Sequence, residues 1–214
     1  MRGETSPFAI VIAAPSGAGK TTLARELVAR RDDVTFALSA TTRAPRAGER
    51  EDVDYRFVSA AGFEELRRSG ELIEWAQVHG NWYGTLRASV TRALDSGTTV
   101  VLDIDVQGAR RIRDLFPDSV LVFLLPPSAK VWGERISGRG SEDEAERTVR
   151  MGTALREIRA VSEFDYVLVN DDLEESLKTL EAIVTAERHR SARWSGLEAR
   201  IGDLERVLLQ KTGG

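Results

Sequence analysis

Between residues 14 and 22 the chain reads APSGAGKTT, with an apolar run before it and an amphipathic stretch after it. Glycines at 17 and 19 let the backbone curl until successive N–H groups point inward, the geometry that cradles phosphate oxygens. Lys20 then reaches β- and γ-phosphates, Thr21 offers its hydroxyl to Mg²⁺, and a helix opening at that point adds the partial positive charge of its N-terminus. Ala14, Pro15, Ser16, Gly17, Ala18, Gly19, Lys20, Thr21 and Thr22 are therefore the candidate triphosphate-binding residues. The full pattern has glycine at position 14, where this chain has Ala14, so the strand–loop–helix context carries more weight than the letters. The competing reading is a glycine-rich turn that binds nothing.

A second group of candidates lies in VVLDID, residues 100–105. A carboxylate at the end of a buried strand is costly unless a cation faces it. In phosphate-loop proteins that cation belongs to the Mg²⁺ shell, which makes Asp103 and Thr21 the metal-side pair. The alternative for either carboxylate is a helix N-cap, and Asp105 fits that role nearly as well.

The elements that must position these groups alternate between strand and helix. Apolar runs at 8–14, 34–38, 99–105, 119–125 and 166–170 predict five strands. Their near-continuous apolar character predicts a parallel sheet covered on both faces, an α/β fold. Helices are expected over Thr21–Arg31, Gln107–Leu115 and Ala129–Ile136. Ser141 with Glu144, and Asp172 with Glu175, have the spacing of capping boxes; they predict helices running toward Val161 and about His189. Apolar residues at helical spacing over Leu197–Leu209 predict a last helix packed on the rest. Between Ser39 and about Asp95 the alternation breaks into turn residues, arginines and aromatics, the mark of an insertion with its own task.

Composition narrows the function class. There are 30 Lys plus Arg against 34 Asp plus Glu, so the basic excess of a nucleic-acid binder is missing. With no cysteine there are neither disulfides nor thiolate metal sites. No apolar run approaches the ~18 residues of a membrane span, and MRGETSPF lacks the layout of a signal peptide. The expectation is one cytoplasmic domain over residues 1–214, with neither nucleic acid nor membrane as partner and the oligomeric state left open.

The insertion contains SATTRAPRAGE (39–49), DYRF (54–57) and LIEWAQVHGNWYGT (72–85), followed by LDIDVQGA (102–109), GRG (138–140) and VNDD (169–172). Together with APSGAGKTT, in this order and spacing from about Ala9 to Arg188, they resemble the guanylate kinases, which phosphorylate GMP with ATP and Mg²⁺. The resemblance implies a phosphate-loop core at about 7–38 and 93–214, a GMP-binding insertion at about 39–92 and a mobile lid at about 135–150. It implies a GMP site of Ser39, Arg43, Arg46, Tyr55, Glu74, Tyr83, Thr85 and Asp105. It also implies that Arg135, Arg139 and Arg150 act from the lid, joining Lys20 and Arg43 in catalysis, and that Asn170 contacts adenine. Asn170 also precedes a helix cap, which leaves its role open between the two.

The chemistry of the residues agrees with those roles. Arg43 and Arg46 flank a rigid Pro45 and can fork a phosphate. Glu74, an acceptor-only group when ionised, suits the N1–H and 2-amino donors of guanine, while Ser39 and Thr85 can donate to O6. Trp82 reads as part of a small core cluster. Glu51 and Trp82 depart from the resemblance, standing where glycine and a second tyrosine are common, as does Thr85, where serine is frequent. The acceptor would be a phosphate already anionic near neutral pH, so no general base is needed. Two rival functions remain: a related kinase with another acceptor, and a peptide-binding scaffold, which would not need an intact phosphate loop.

Overall fold

The computed structural model describes residues 5–15, 17–78, 80–137 and 144–212; for 134–137, 144–151 and 212 it describes the backbone alone. Five parallel strands form the main sheet: β1 (Ala9–Ala13), β2 (Val34–Phe36), β7 (Thr99–Asp103), β8 (Val120–Leu125) and β9 (Tyr166–Val169). Their order is β2-β7-β1-β8-β9, and every pairing is parallel. All five expected strands are present, four of them ending one or two residues early.

Burial on both faces explains the unalternated apolar pattern. Every residue of β1 is buried. Its Ile10 and Ile12 meet Leu23 and Leu27 of α1 (Lys20–Arg30) and Leu177, Leu180 and Val184 of α7 (Leu173–Arg188). Its Ala9 and Val11 face Val90 of α3 (Arg87–Asp95) and Ala109 and Ile112 of α4 (Val106–Leu115). Full burial of each large side chain contributes roughly 1.5–3 kcal/mol, which fixes both helix layers on the sheet.

Local signals start the helices where the spacing predicts. Asp172 accepts a hydrogen bond from the Glu175 amide at 3.0 Å and caps α7. Helices α5 (Ala129–Ser137) and α6 (Glu144–Arg159) are present, while Ser141 of the second predicted box lies outside the described residues.

Residues 39–86 build a second sheet from β3 (Ser39–Thr41), β4 (Arg56–Phe57), β5 (Leu72–Val78) and β6 (Asn81–Leu86), in the order β4-β3-β6-β5. Helix α2 (Ala60–Arg68) closes its outer face, with Phe63 packed on Ala40, Leu72 and Leu86. Gly84 makes this possible: a Cβ there would lie 2.9 Å from Leu72 Cδ1 and 3.1 Å from Phe63 Cζ. Ile73, from β5, joins the cluster under α4 and so ties the small sheet to the large one. The turn before β4 uses Glu51 where a glycine was expected. Asp52 takes the left-handed conformation (φ 56°), and the Glu51 carboxylate accepts from the Phe57 amide at 3.2 Å.

At the base of the core, buried Arg193 donates to Glu187 at 3.2 Å and to the Asp118 carbonyl at 2.7 Å. Tyr166 donates to the other oxygen of Glu187 at 2.7 Å, and the Arg193 guanidinium sits 4.3 Å from the Phe8 ring centroid. Removing Arg193 leaves buried Glu187 with one cationic partner, the exposed Arg190 at 3.3 Å. Arg193→Met should therefore lose about 3 kcal/mol of stability, the low end for a broken buried pair, read as a lower urea midpoint at unchanged slope. Its ATP and GMP constants should hold under conditions where it stays folded, because the network lies on the side of the sheet away from the phosphate loop.

One expectation fails. The last helix, α8 (Leu197–Thr212), forms but does not pack: Ile201, Leu204, Val207, Leu208 and Leu209 are all exposed. Both faces of the main sheet are already covered, and the chain leaves the core at Gly196 through a left-handed turn (φ 76°). Trp82 is a second correction. It lies on the face of β6 opposite Tyr83, stacked on Phe63 at 5.9 Å but 36% exposed, so it rims the small sheet rather than filling a core.

Candidate active site

Parallel pairing of β1 with β7 sets Ile12 beside Asp103, so the loop after β1 and the turn after β7 emerge side by side. In an open parallel sheet this is the edge where ligands bind. Gly17 and Gly19 both take positive φ, 86° and 90°, which a side chain would resist. Helix α1 begins at Lys20, immediately after Gly19. Lys20 Nζ lies 2.6 Å from Asp103 Oδ1 and donates to the Ile104 carbonyl at 2.9 Å; Thr21 donates to the other Asp103 oxygen. Thr21 and Asp103 are thus adjacent, as the metal-side reading requires. A hydroxyl and a carboxylate are the hard oxygen donors that suit Mg²⁺, with phosphates and water completing the shell. Among the described residues no cluster of three or more His, Cys, Asp or Glu could hold an ion alone.

Asn170 is buried behind the loop and donates to the Ala18 carbonyl at 2.7 Å. A Cβ on Gly19 would lie 2.5 Å from its amide nitrogen, so amide and glycine are fitted to one another. The helix cap nearby is Asp172, not Asn170. Ala14, Pro15, Ala18 and Thr22 belong to the same loop and first helical turn, and Ser16 lies outside the described residues.

Across the cleft, strand register gathers residues far apart in the chain. Ser39 on β3 pairs with Thr85 on β6, and Thr85 pairs with Glu74 on β5, so the three stand in one row. Tyr83, two residues from Thr85, shares that face. Both the amide and the hydroxyl of Thr85 donate to Glu74 Oε1, at 3.0 and 2.5 Å. The second oxygen, Oε2, approaches α4 at Gly108, where a Cβ would be 3.0 Å away. Burial, opposed by the Thr85 hydrogen bond and reinforced by the nearby Asp105 charge, pushes the Glu74 carboxyl above its ordinary range. Asp105 itself caps α4, accepting from the Gly108 amide at 2.7 Å, with its side chain on the same cleft.

Arg43 is drawn in by Glu49 at 2.8 Å, with its guanidinium 5.5 Å from the Tyr55 ring centroid. Arg46 is exposed, its amide donating to Glu49 at 2.7 Å. Tyr55 and Tyr83 meet edge to face at 6.0 Å, and burial, with Asp103 next in effect, keeps the Tyr55 phenol protonated well past its usual range. Lys20, Thr21, Ser39, Tyr55, Glu74, Tyr83, Asp103 and Asp105 all line one cleft of about 490 Å³. Neither Arg43 nor Arg46 lines this cleft; Arg43 reaches it through Tyr55, and Arg46 meets Glu49 beyond it. Arg139 lies outside the described residues, as do the side chains of Arg135 and Arg150.

Sequence reasoning missed two residues, Arg25 in the cleft and Glu157 within reach of its charges. Arg25, one turn beyond Thr21, lines the cleft and lies 3.8 Å from Asp54, joining α1 to the small sheet's loop. Glu157 on α6 is half-buried; burial raises its carboxyl, and the Lys20 and Asp105 charges both act on it. Helical spacing from the buried Ala154 and Ala160 marks its face as the inward one, a pattern the sequence does contain.

A glycine-curled loop on an all-parallel sheet, facing a row of polar groups on a smaller sheet, defines a nucleoside monophosphate kinase of the phosphate-loop class. The family model for guanylate kinase matches residues 6–187. Guanylate kinases of Anaeromyxobacter dehalogenans and Clostridioides difficile are 46% and 40% identical over 96% and 88% of this chain, each match covering 92% of the relative. The crystal structure of guanylate kinase from Anaplasma phagocytophilum superposes with a TM-score of 0.72 at 32% identity, covering 91% of this chain and 93% of that one. The chain belongs to the guanylate kinase family, whose reaction is phosphoryl transfer from ATP to GMP.

Proposed function

We propose that the cleft reads guanine through the row Ser39–Thr85–Glu74 and delivers the GMP phosphate to an ATP γ-phosphate seated on residues 14–22. The observation that carries this reading is the register that lines up those three side chains opposite the phosphate loop. Glu74 accepts from N1–H and the 2-amino group, Ser39 donates to O6, and Thr85 joins it when its one hydroxyl proton turns from Glu74 to the base. Arg43, Arg46, Tyr55 and Tyr83 hold the GMP phosphate, and Asp105 lines the floor beside the base.

In the transfer step a GMP phosphate oxygen attacks the γ-phosphorus in line, and the bond to the ADP leaving oxygen breaks. Lys20 stabilises charge on the β- and γ-phosphate oxygens throughout. Thr21 and Asp103 would hold Mg²⁺, which supplies charge neutralisation on the phosphates when bound. Freed from Asp103, the Lys20 ammonium turns to the nucleotide. Asn170 serves ATP by bracing the loop from behind through Ala18. The lid arginines Arg135, Arg139 and Arg150 close over the γ-phosphate, and the small sheet swings with them to exclude water. The reading is of a cytoplasmic enzyme supplying purine nucleotides. No helix among the described residues is long and apolar enough to cross a membrane.

Arg43→Ala tests the division of labour. A charge-assisted hydrogen bond is worth about 1.5–3 kcal/mol, so KM for GMP should rise roughly 10- to 100-fold with lower turnover. The Kd for ATP alone should not move. Loss of ATP affinity with GMP binding intact would contradict the assignment.

A further inference from the structure

Helix α8 carries an exposed apolar seam, flanked by Val207 and with Leu209 outside it. Leu197, Ile201, Leu204 and Leu208 follow at intervals of four, three and four residues, and fall within a narrow stripe at ~100° per residue. Ile201, Leu204 and Leu208 are 40%, 59% and 62% exposed. The charged pair of this helix, Arg206 with Asp203 at 3.0 Å, lies on the opposite face. Gly202 also falls outside the seam.

In heptad terms Ile201 and Leu208 occupy a, and Leu197 and Leu204 occupy d. An isoleucine at a with leucines at d favours a parallel two-stranded coil. The flanking charges choose the partner. Arg200 stands at g and Glu205 at e of the next heptad, and both are exposed. In a parallel pair of α8 helices, Arg200 of each chain faces Glu205 of the other, twice over by symmetry. In an antiparallel pair the e positions, Glu198 and Glu205, would face each other as like charges. The helix carries three acidic and three basic residues, so it lacks the basic face that seats a helix on an anionic membrane.

We infer that α8 pairs in parallel with α8 of a second copy of this chain, joining two kinase domains at their C-terminal ends. Two heptads are fewer than the roughly three to four of an autonomous coiled coil, so the association is weak and grows with concentration.

The chain has no cysteine, which makes the test direct. In a parallel coil the d residues of the two chains meet, so Leu204→Cys should oxidise to a symmetric covalent dimer. Ala199→Cys, on the outer face, serves as control and should react at least ~10-fold more slowly, because it gains no effective concentration. In sedimentation the wild-type mass should climb toward two chains with concentration. Leu204→Glu should stay at one chain with unchanged ATP:GMP turnover, which reports that the domain is folded. Arg200→Glu should weaken association, and adding Glu205→Arg should restore it. A chain that stays monomeric to its solubility limit overturns the inference. So does a dimer indifferent to Leu204→Glu, equal cross-linking at 199 and 204, or a charge swap that fails to rescue.

Discussion

Lys20→Ala should fold normally and turn over about 10²–10³-fold more slowly. Lys20 is the one cation in direct contact with Asp103, at 2.6 Å, among the described residues of the cleft. Its ammonium is held beside the loop by Asp103 and the Ile104 carbonyl, and turns from Asp103 to the phosphates when a nucleotide arrives. Removing a preorganised donor to developing charge typically costs ~2.7–4 kcal/mol in the transition state, which is that range of rate. The fold should hold, because Lys20 contributes neither to the clusters under the sheet nor to a helix cap. Steady-state turnover beside a thermal melt measures both. Retention of more than about a third of wild-type turnover, with the protein folded, would mean that the loop does not carry the phosphates.

Glu74→Gln should damage the base rather than the phosphate. An ionised Glu74 has Oε1 taking two bonds from Thr85 and Oε2 toward α4, and offers guanine Oε2 together with the place on Oε1 that the Thr85 hydroxyl gives up. The amide would turn a donor toward guanine's own donors. Leaving one buried polar group unsatisfied costs about 1–3 kcal/mol, so kcat/KM for GMP should fall by at least roughly fivefold while the Kd for ATP stays put. The pH dependence carries a sign that can be checked. Burial raises the folded carboxyl, so the proton is bound more tightly in the empty fold than in the unfolded chain. That contribution to stability is present below the ordinary carboxyl range and is lost as pH rises through the raised value. GMP binding needs the ionised form, so its KM should fall as pH rises through the same window. Glu74→Gln should abolish that pH dependence and, above the window, be at least as stable as the wild type. A variant that kept the full GMP preference would move guanine reading to Asp105 and Ser39.

Most of the core was legible because its physics is local. Five unalternated apolar runs mean strands covered on both faces, and β1 is buried at every residue. APSGAGKTT announces its own turn through Gly17 and Gly19, both at positive φ. The candidate site was legible as residue types but not as an arrangement. Nothing local says that Ser39 pairs with Thr85 and Thr85 with Glu74, because register is set by the whole small sheet and its packing on α2. Asn170 illustrates the same limit. Its neighbours suggest a cap, yet its partner is the Ala18 carbonyl, 152 residues away. Arg25 and the Glu187–Arg193 pair were silent because charged residues on helices usually mean solvent. Helix α8 was legible as a helix, but periodicity cannot tell an apolar stripe that meets its own core from one that meets a second chain.

A coupled assay of the wild-type chain with ATP and GMP, AMP, CMP or UMP asks whether this cleft transfers phosphate to a guanine nucleotide and to no other. Adenine would bring a bare lone pair to Glu74 and leave a buried carboxylate unpaired, a mismatch that can reject a substrate by ~10⁴–10⁵. GDP and ADP should form in equal amounts, with kcat/KM for GMP above that for AMP by that order and CMP and UMP near background. Comparable turnover of AMP or a pyrimidine monophosphate, or ATP hydrolysis without GDP, would contradict it.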